Sequence, residues 1–268
     1  MAEMTEFLST SVARGLIARL TATHERRRIS VFSGPPGIGK TTAIDEFARR
    51  RPGEVAIVKV ARRNAREVLV LQHTLEALRH VIGSSFSHAP SSVWDLRNDL
   101  FGAACAFAHL ETGPARRGEY DLAHCPRLTL IFDEAQNLSR EAIDSLRYWS
   151  DADRCYAPFP LGVAFVGNNE FSLAERGGDS VISLAVADRA LYIQTLDYED
   201  VVDDDLQLFI DARCDCEPDA VTALVRAFRG PRAQRSLRRL SDLLELLQDE
   251  AGGGTISADD VRRGLLIA

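Results

Sequence analysis

The sequence predicts an α/β fold, a parallel sheet flanked by helices with a small C-terminal helical domain after it. Three observations predict it. Apolar runs at 29–32, 55–60, 128–132 and 161–167, with a shorter one at 190–193, alternate with stretches of helical periodicity, as in a helix-covered parallel sheet. A glycine-rich loop joins the first run to its helix. After Leu196 the strand-like runs stop, and only helix-like segments follow, at 200–213, 218–228, 233–250 and 258–266. That change divides the chain into 1–196 and 197–268.

Each element has a local reason. Phe7, Leu8, Val12, Leu16, Ile17 and Leu20 recur close to helical spacing and make a lead-in helix within 5–24. Ile29-Ser30-Val31-Phe32 is the first strand, and the helix Thr41 to Arg50 follows the loop. Pro52-Gly53 breaks the chain before the buried run Val55 to Val60. Ala65 to Ile82 is a long amphipathic helix. The Ser/Gly/Pro-rich stretch 83–92 is a loop, 94–110 is helical, and 112–126 is a second loop. Leu128 to Phe132 is a third strand ending in Asp133-Glu134. Ser139 is suited to N-cap a helix running to Ser150. Leu161 to Gly167 is a fourth strand ending in Asn168-Asn169, and Ala190 to Ile193 a short fifth. Gly230-Pro231 and Gly252-Gly253-Gly254 punctuate the C-terminal helices.

The loop carries the most specific chemistry. Gly34-Pro35-Pro36-Gly37-Ile38-Gly39-Lys40-Thr41 matches GxxxxGK[ST] without a mismatch, and it lies between a strand and a helix. Glycines let backbone N–H groups curl around an anion, and the helix N-terminus adds its dipole. Lys40 is placed to reach β- and γ-phosphates, and the Thr41 hydroxyl to hold Mg²⁺. A plain turn needs neither a lysine nor a threonine at those offsets. In Leu128-Thr129-Leu130-Ile131-Phe132-Asp133-Glu134, an apolar strand delivers two acids at its C-terminal end. Asp133 suits Mg²⁺ binding through water, and Glu134 suits polarising an attacking water. Asn168, after the fourth strand, is a candidate to orient that water. Charge developing on a γ-phosphate favours a guanidinium, with Arg176, Arg189, Arg232, Arg235 and Arg238 as candidates.

Together these parts resemble the AAA+ ATPases. More narrowly, they resemble the transposition-helper group of MuB, TniB and TnsC relatives. The residues that carry the likeness are Ser33 to Thr42, then Phe132-Asp133-Glu134-Ala135-Gln136-Asn137-Leu138, then Phe165-Val166-Gly167-Asn168. The resemblance spans roughly Met1 to Glu250. It implies a P-loop AAA+ core with a helical lid, ATP and Mg²⁺ as cofactors, and nucleotide contacts from Gly34 through Thr42, Asp133 and Arg238. In that group Asn168 matches sensor 1, Arg189 the arginine finger, and Ser236-Leu237-Arg238-Arg239-Leu240 the sensor 2 stretch. The resemblance also implies a homo-oligomer, a ring or helical filament, that forms on double-stranded DNA with ATP and recruits a transposase. A basic segment after the second strand, Ala61-Arg62-Arg63-Asn64-Ala65-Arg66, would contact backbone phosphates through Arg62, Arg63 and Arg66. Two departures stand against the pattern. Too few residues precede the loop for the N-terminal helix-turn-helix domain of the phage Mu type, and the chain is acidic.

Composition sets the remaining bounds. The 268 residues are 46% hydrophobic and 26% charged, ordinary values for a globular chain. No apolar run approaches the ~20 residues that span a bilayer. Met1 to Ser11 lacks the basic flank and long apolar stretch of a signal peptide, so a cytoplasmic location without membrane contact is expected. Cys105, Cys125, Cys155, Cys214 and Cys216 read as free thiols; one residue between the last two is wrong for a zinc knuckle. The net charge of −7 argues mildly against a dedicated nucleic-acid binder, although arginines cluster at 26–28, 49–51, 62–66 and 232–239. The alternative is an AAA+ ATPase that remodels or senses a protein partner without touching DNA; a third is a switch that binds ATP and hydrolyses it poorly.

Overall fold

The structure is a computed structural model that describes residues 7–61, 65–82, 92–107, 125–151, 159–169, 182–229 and 234–267. Contacts divide the chain into two compact units. One holds Ile17–Ser33 and Ile44–Thr195, the other Met1–Leu16, Gly34–Ala43 and Leu196–Ala268.

The first unit is built on a five-stranded parallel sheet. Its strands are β1 (Ile29–Ser33), β2 (Val55–Lys59), β3 (Thr129–Asp133), β4 (Gly162–Gly167) and β5 (Ala190–Thr195), in the order β2-β3-β4-β1-β5. β1, β3 and β4 are buried at every residue, which is why their sequences run apolar instead of alternating. The Phe132 and Phe165 rings stack across β3 and β4 at 5.5 Å. β5 is a half-exposed edge. Helices α3 (Glu67–Ile82) and α4 (Val93–Phe107) pack on one another, and α3 covers β2. α5 (Arg140–Leu146) is capped by Ser139, whose hydroxyl accepts from the Ala142 N–H at 3.2 Å. The register brings the strand ends together: Ser33 is level with Gly167 and Thr195, and Asp133 with Lys59 and Val166.

The second unit gathers helices α7 (Asp203–Asp211), α8 (Pro218–Phe228), α9 (Leu237–Glu250) and α10 (Ala258–Ile267). Acids fill the first turn of α7 and Pro218 opens α8, both favoured at helix N-termini. Their apolar faces meet around Leu206, Ile210, Leu224, Leu240, Leu244 and Val261. The start of α1 (Ser11–Arg26) joins them: Val12 lies in that core, and the buried Asp205 carboxylate accepts from the Ser11 N–H at 2.7 Å.

Several boundaries differ from the sequence reading. The helix expected over 139–150 ends at Leu146, and a tighter 3₁₀ turn, Arg147–Trp149, buries the indole. The helix expected from residue 233 starts at Leu237, because Gln234 and Arg235 take positive φ and Ser236 then caps. A short helix α6 (Leu184–Arg189), capped by Ser183, went unread, as did the 3₁₀ turns Ala135–Asn137 and Tyr198–Asp200.

Candidate functional site

The residues singled out by sequence fall into two groups, one in each unit. The first is the loop 34–42, which leaves β1 and enters α2 (Lys40–Arg49). Gly37 and Gly39 take φ of 80° and 93°, a region closed to most side chains. Gly37 is required twice over, since a Cβ there would lie 2.4 Å from Ser236 Oγ and 3.1 Å from Arg238 Cβ. The Arg238 N–H also reaches the Gly37 carbonyl at 3.4 Å. Ile38 is fully buried among Val12, Leu196 and Leu240, so the loop is pinned by its one large apolar side chain. Pro36 O accepts from the Tyr198 hydroxyl at 3.4 Å. Lys40 Nζ donates to the carbonyls of Gly34 at 2.8 Å and Pro35 at 2.7 Å. Thr41 and Thr42 are exposed in the first turn of α2. An ammonium, exposed hydroxyls and the positive end of a helix dipole thus share one short segment, an environment suited to an anion. Arg238 and Arg239 are exposed in the first turn of α9, where cations work against the helix dipole.

The second group sits at the C-terminal ends of β3 and β4. Asp133 closes β3 at 4% exposure, and its Oδ1 accepts from the Glu134 N–H at 3.0 Å. Glu134 is exposed and left-handed, with φ 58° and ψ 40°, a conformation costing a non-glycine residue roughly 1–2 kcal/mol. The turn that follows holds it there. Ala135 is fully buried, and the Asn137 N–H donates to Glu134 O at 2.9 Å. Asn137 Nδ2 donates to Val60 O at 2.7 Å, and Asn137 O accepts from the Ala65 N–H at 2.8 Å. The Gln136 amide faces two ways: Nε2 donates to the Glu134 carboxylate, and Oε1 accepts from the Asn168 N–H at 3.0 Å. Asn168 is therefore tied to the turn that carries Glu134.

The remaining candidates are spread out. Arg189 ends α6, with Nε 3.4 Å from Asp151 Oδ2 and Nη1 donating to Ala185 O at 3.3 Å; its side chain is 44% exposed. Arg235 is committed to its own unit, bonded to Val201 O at 2.7 Å and paired with Asp203 at 3.3 Å. Arg66 is exposed just before α3. Arg62, Arg63, Arg176, Arg232 and Cys155 lie outside the described residues. Among the described residues no helix is long and apolar enough to cross a membrane. Sequence reasoning gave no role to Gln136, Asn137 or Tyr198. The first two lay in plain view inside Asp-Glu-Ala-Gln-Asn, but nothing in a pattern of residue types says which atoms an amide joins.

A family model described as the AAA domain matches residues 23–174, more than half of the chain. The chain belongs to the AAA domain family. The match contains the whole glycine loop, β3 with both acids, and β4 with Asn168. Solved structures agree on the fold. Cdc6p from Pyrobaculum aerophilum superposes with a TM-score of 0.66 at 15% identity, over 98% of this chain and 69% of that one. A RuvB variant from Thermotoga maritima gives 0.53 at 18% identity, over 96% and 68%. RuvB from the same organism, described as a Holliday junction branch migration motor, gives 0.51 at 16% identity, over 95% and 68%. At such identities the likeness is one of fold. A search of curated proteins finds no match.

Proposed function

We propose that this AAA domain protein hydrolyses ATP with Mg²⁺ and uses the ATP state to assemble on duplex DNA, independently of sequence, where it regulates target selection by a transposase. The observation that carries the enzymatic part is the end of β3, where a buried Asp133 is followed by an exposed Glu134 turned into a left-handed conformation. A non-glycine residue kept in that conformation by its surroundings marks a position selected for its side chain.

The residues fit the group. Gly37, Ile38 and Gly39 supply backbone N–H groups to a polyphosphate, Pro35 and Pro36 having none to give, and Lys40 supplies a positive charge. In P-loop NTPases Mg²⁺ is held by a loop Ser or Thr hydroxyl and an Asp at the end of a strand, beside phosphate oxygens and waters, and Thr41 and Asp133 are the residues of those types here. When bound, the metal would neutralise charge building between the β- and γ-phosphates. Glu134 is the general base that takes a proton from water as its oxygen attacks the γ-phosphorus; ADP leaves and inorganic phosphate forms. Asn168 orients that water. Arg238 answers the γ-phosphate charge, which would also offset the cost of cations at the start of α9. Arg189 completes the site of a neighbouring copy once it leaves Asp151. Residues 197–268 act as the lid.

The DNA part rests on the resemblance carried by Asp133-Glu134-Ala135-Gln136 and on the basic segment 61–66, whose described arginine, Arg66, is exposed. RuvB, a Holliday junction branch migration motor of similar fold, is in keeping with it. Light scattering and negative-stain imaging of duplex DNA with ATP analogue, ADP or no nucleotide would test it. Filaments or rings specific to ATP are expected, weakened by Arg62→Ala with Arg63→Ala and steeply salt-sensitive. The net charge of −7 favours a second reading, an ATPase acting on a protein partner. Assembly indifferent to DNA, with turnover untouched by those two substitutions, would select it.

A further inference from the structure

The Gln136 side chain makes contacts that neither the resemblance nor the family match assigns. It stands on the 3₁₀ turn after Glu134, and its two amide atoms are fixed by chemistry. A backbone N–H can only donate, so Asn168 N must face Oε1; an ionised carboxylate can only accept, so Glu134 must face Nε2. Both demands agree, and only one amide orientation meets them. The left-handed Glu134 bends the chain so that the side chain two residues on returns to meet it. Asn137 holds the turn through Val60 and Ala65.

We propose that Gln136 is a positioning residue: it sets the orientation of the Glu134 carboxylate and ties it to the backbone that presents Asn168. A glutamate has three rotatable side-chain bonds, and a base acts only within hydrogen-bond reach of its proton. One donated hydrogen bond fixes the carboxylate and leaves it further lone pairs for water. Because Oε1 is bonded to the residue following β4, the base and the candidate water-orienting residue keep a fixed relation. This rests on reading Glu134 as the base, and the experiment separates the two.

The test is ATP turnover of Gln136→Met, Gln136→Glu, Glu134→Gln and the double variant Glu134→Gln with Gln136→Met. Gln136→Met is expected to lower kcat by roughly ten- to a hundredfold, with KM and ATP-analogue affinity nearly unchanged. Gln136→Glu keeps the acceptor for Asn168 but cannot donate to Glu134, so it should fold normally and be no faster. In the Glu134→Gln background, Gln136→Met should cause no further loss, the non-additivity of two groups acting as one. Wild-type kcat in Gln136→Met, a loss confined to KM, or a full additional loss in the double variant would overturn the role of Gln136 while leaving Glu134 as the base. Wild-type turnover in Glu134→Gln would overturn both.

Discussion

The glycine loop and the acidic turn after β3 both need backbone in the left-handed region, and they reach it in opposite ways. In the loop the positive φ falls on Gly37 and Gly39, where it costs little, and the chemistry offered is mostly backbone N–H. In the turn it falls on Glu134, where it costs roughly 1–2 kcal/mol, and the side chain is the point. The loop can be written in glycine because an anion cradle needs no side chain at those positions. The turn cannot, because glycine there would delete the carboxylate, so a buried alanine, two amides and neighbouring carbonyls hold it instead.

The largest effect expected from this contrast is on the acidic side. Glu134→Gln keeps shape and removes the proposed base, and kcat should fall by about 10²–10⁴-fold with ATP binding retained; a coupled phosphate-release assay reads the first and analogue titration the second. Lys40→Ala attacks the loop's one charged side chain. ATP affinity should fall about a hundredfold, the loss of a charge-assisted contact of about 3 kcal/mol, and analogue titration reads it directly.

The next pair sharpens the contrast through its sign. Gly37→Ala places a Cβ where φ is positive and Ser236 Oγ would be 2.4 Å away, so it should destabilise by roughly 1–3 kcal/mol. Glu134→Gly should be about 1 kcal/mol more stable than Glu134→Ala, because only glycine escapes the left-handed penalty. Urea unfolding midpoints of the four proteins check both; equal stability of the Gly and Ala variants at 134 would remove the strain from the account.

The smallest effect lies on α2, the helix that the loop enters. Glu46 is buried there, with Arg49 Nε at 2.6 Å and Arg50 Nε at 2.7 Å. The hydrogen bond from Arg49, then that from Arg50, holds its carboxyl down at about 2, against an ordinary value near 4.5. A depressed folded value means the stabilisation is present above about pH 4.5 and fades as pH falls toward about 2. Glu46→Gln should flatten that part of the acid limb in unfolding midpoints taken from pH 6 to pH 2.5 (the range set by these values) and leave the neutral-pH dependence alone.

What could be read from sequence follows from the same contrast. The sheet strands were legible because burial on both faces makes them continuous apolar runs, and the loop because Lys40 and Thr41 stand at fixed offsets from Gly34. Asp133 and Glu134 were legible as acids closing such a run. The bends were not. Gln234 and Arg235 have ordinary helical propensity yet take positive φ and delay α9, and α6 is too short for a period to show. Gln136 was legible as part of a motif but not as a bridge, because its partner lies thirty-two residues on, after a different strand.

Asn137 has a consequence beyond holding its turn. Its side chain grips Val60 and its carbonyl grips Ala65, while the Ser139 N–H reaches Ala65 O at 3.3 Å. Val60 directly precedes the basic stretch and Ala65 lies within it, next to Arg66, so both of these residues are moored to the turn bearing Glu134. On the proposed reading, a polyanion held by Arg66 would load the Ala65 mooring, and a rearrangement of the turn would tug on Arg66 in return. Wherever such a tether carries free energy, thermodynamic reciprocity makes it a two-way street: the factor by which nucleotide would tighten the proposed hold on a polyanion would equal the factor by which the polyanion would tighten the hold on nucleotide.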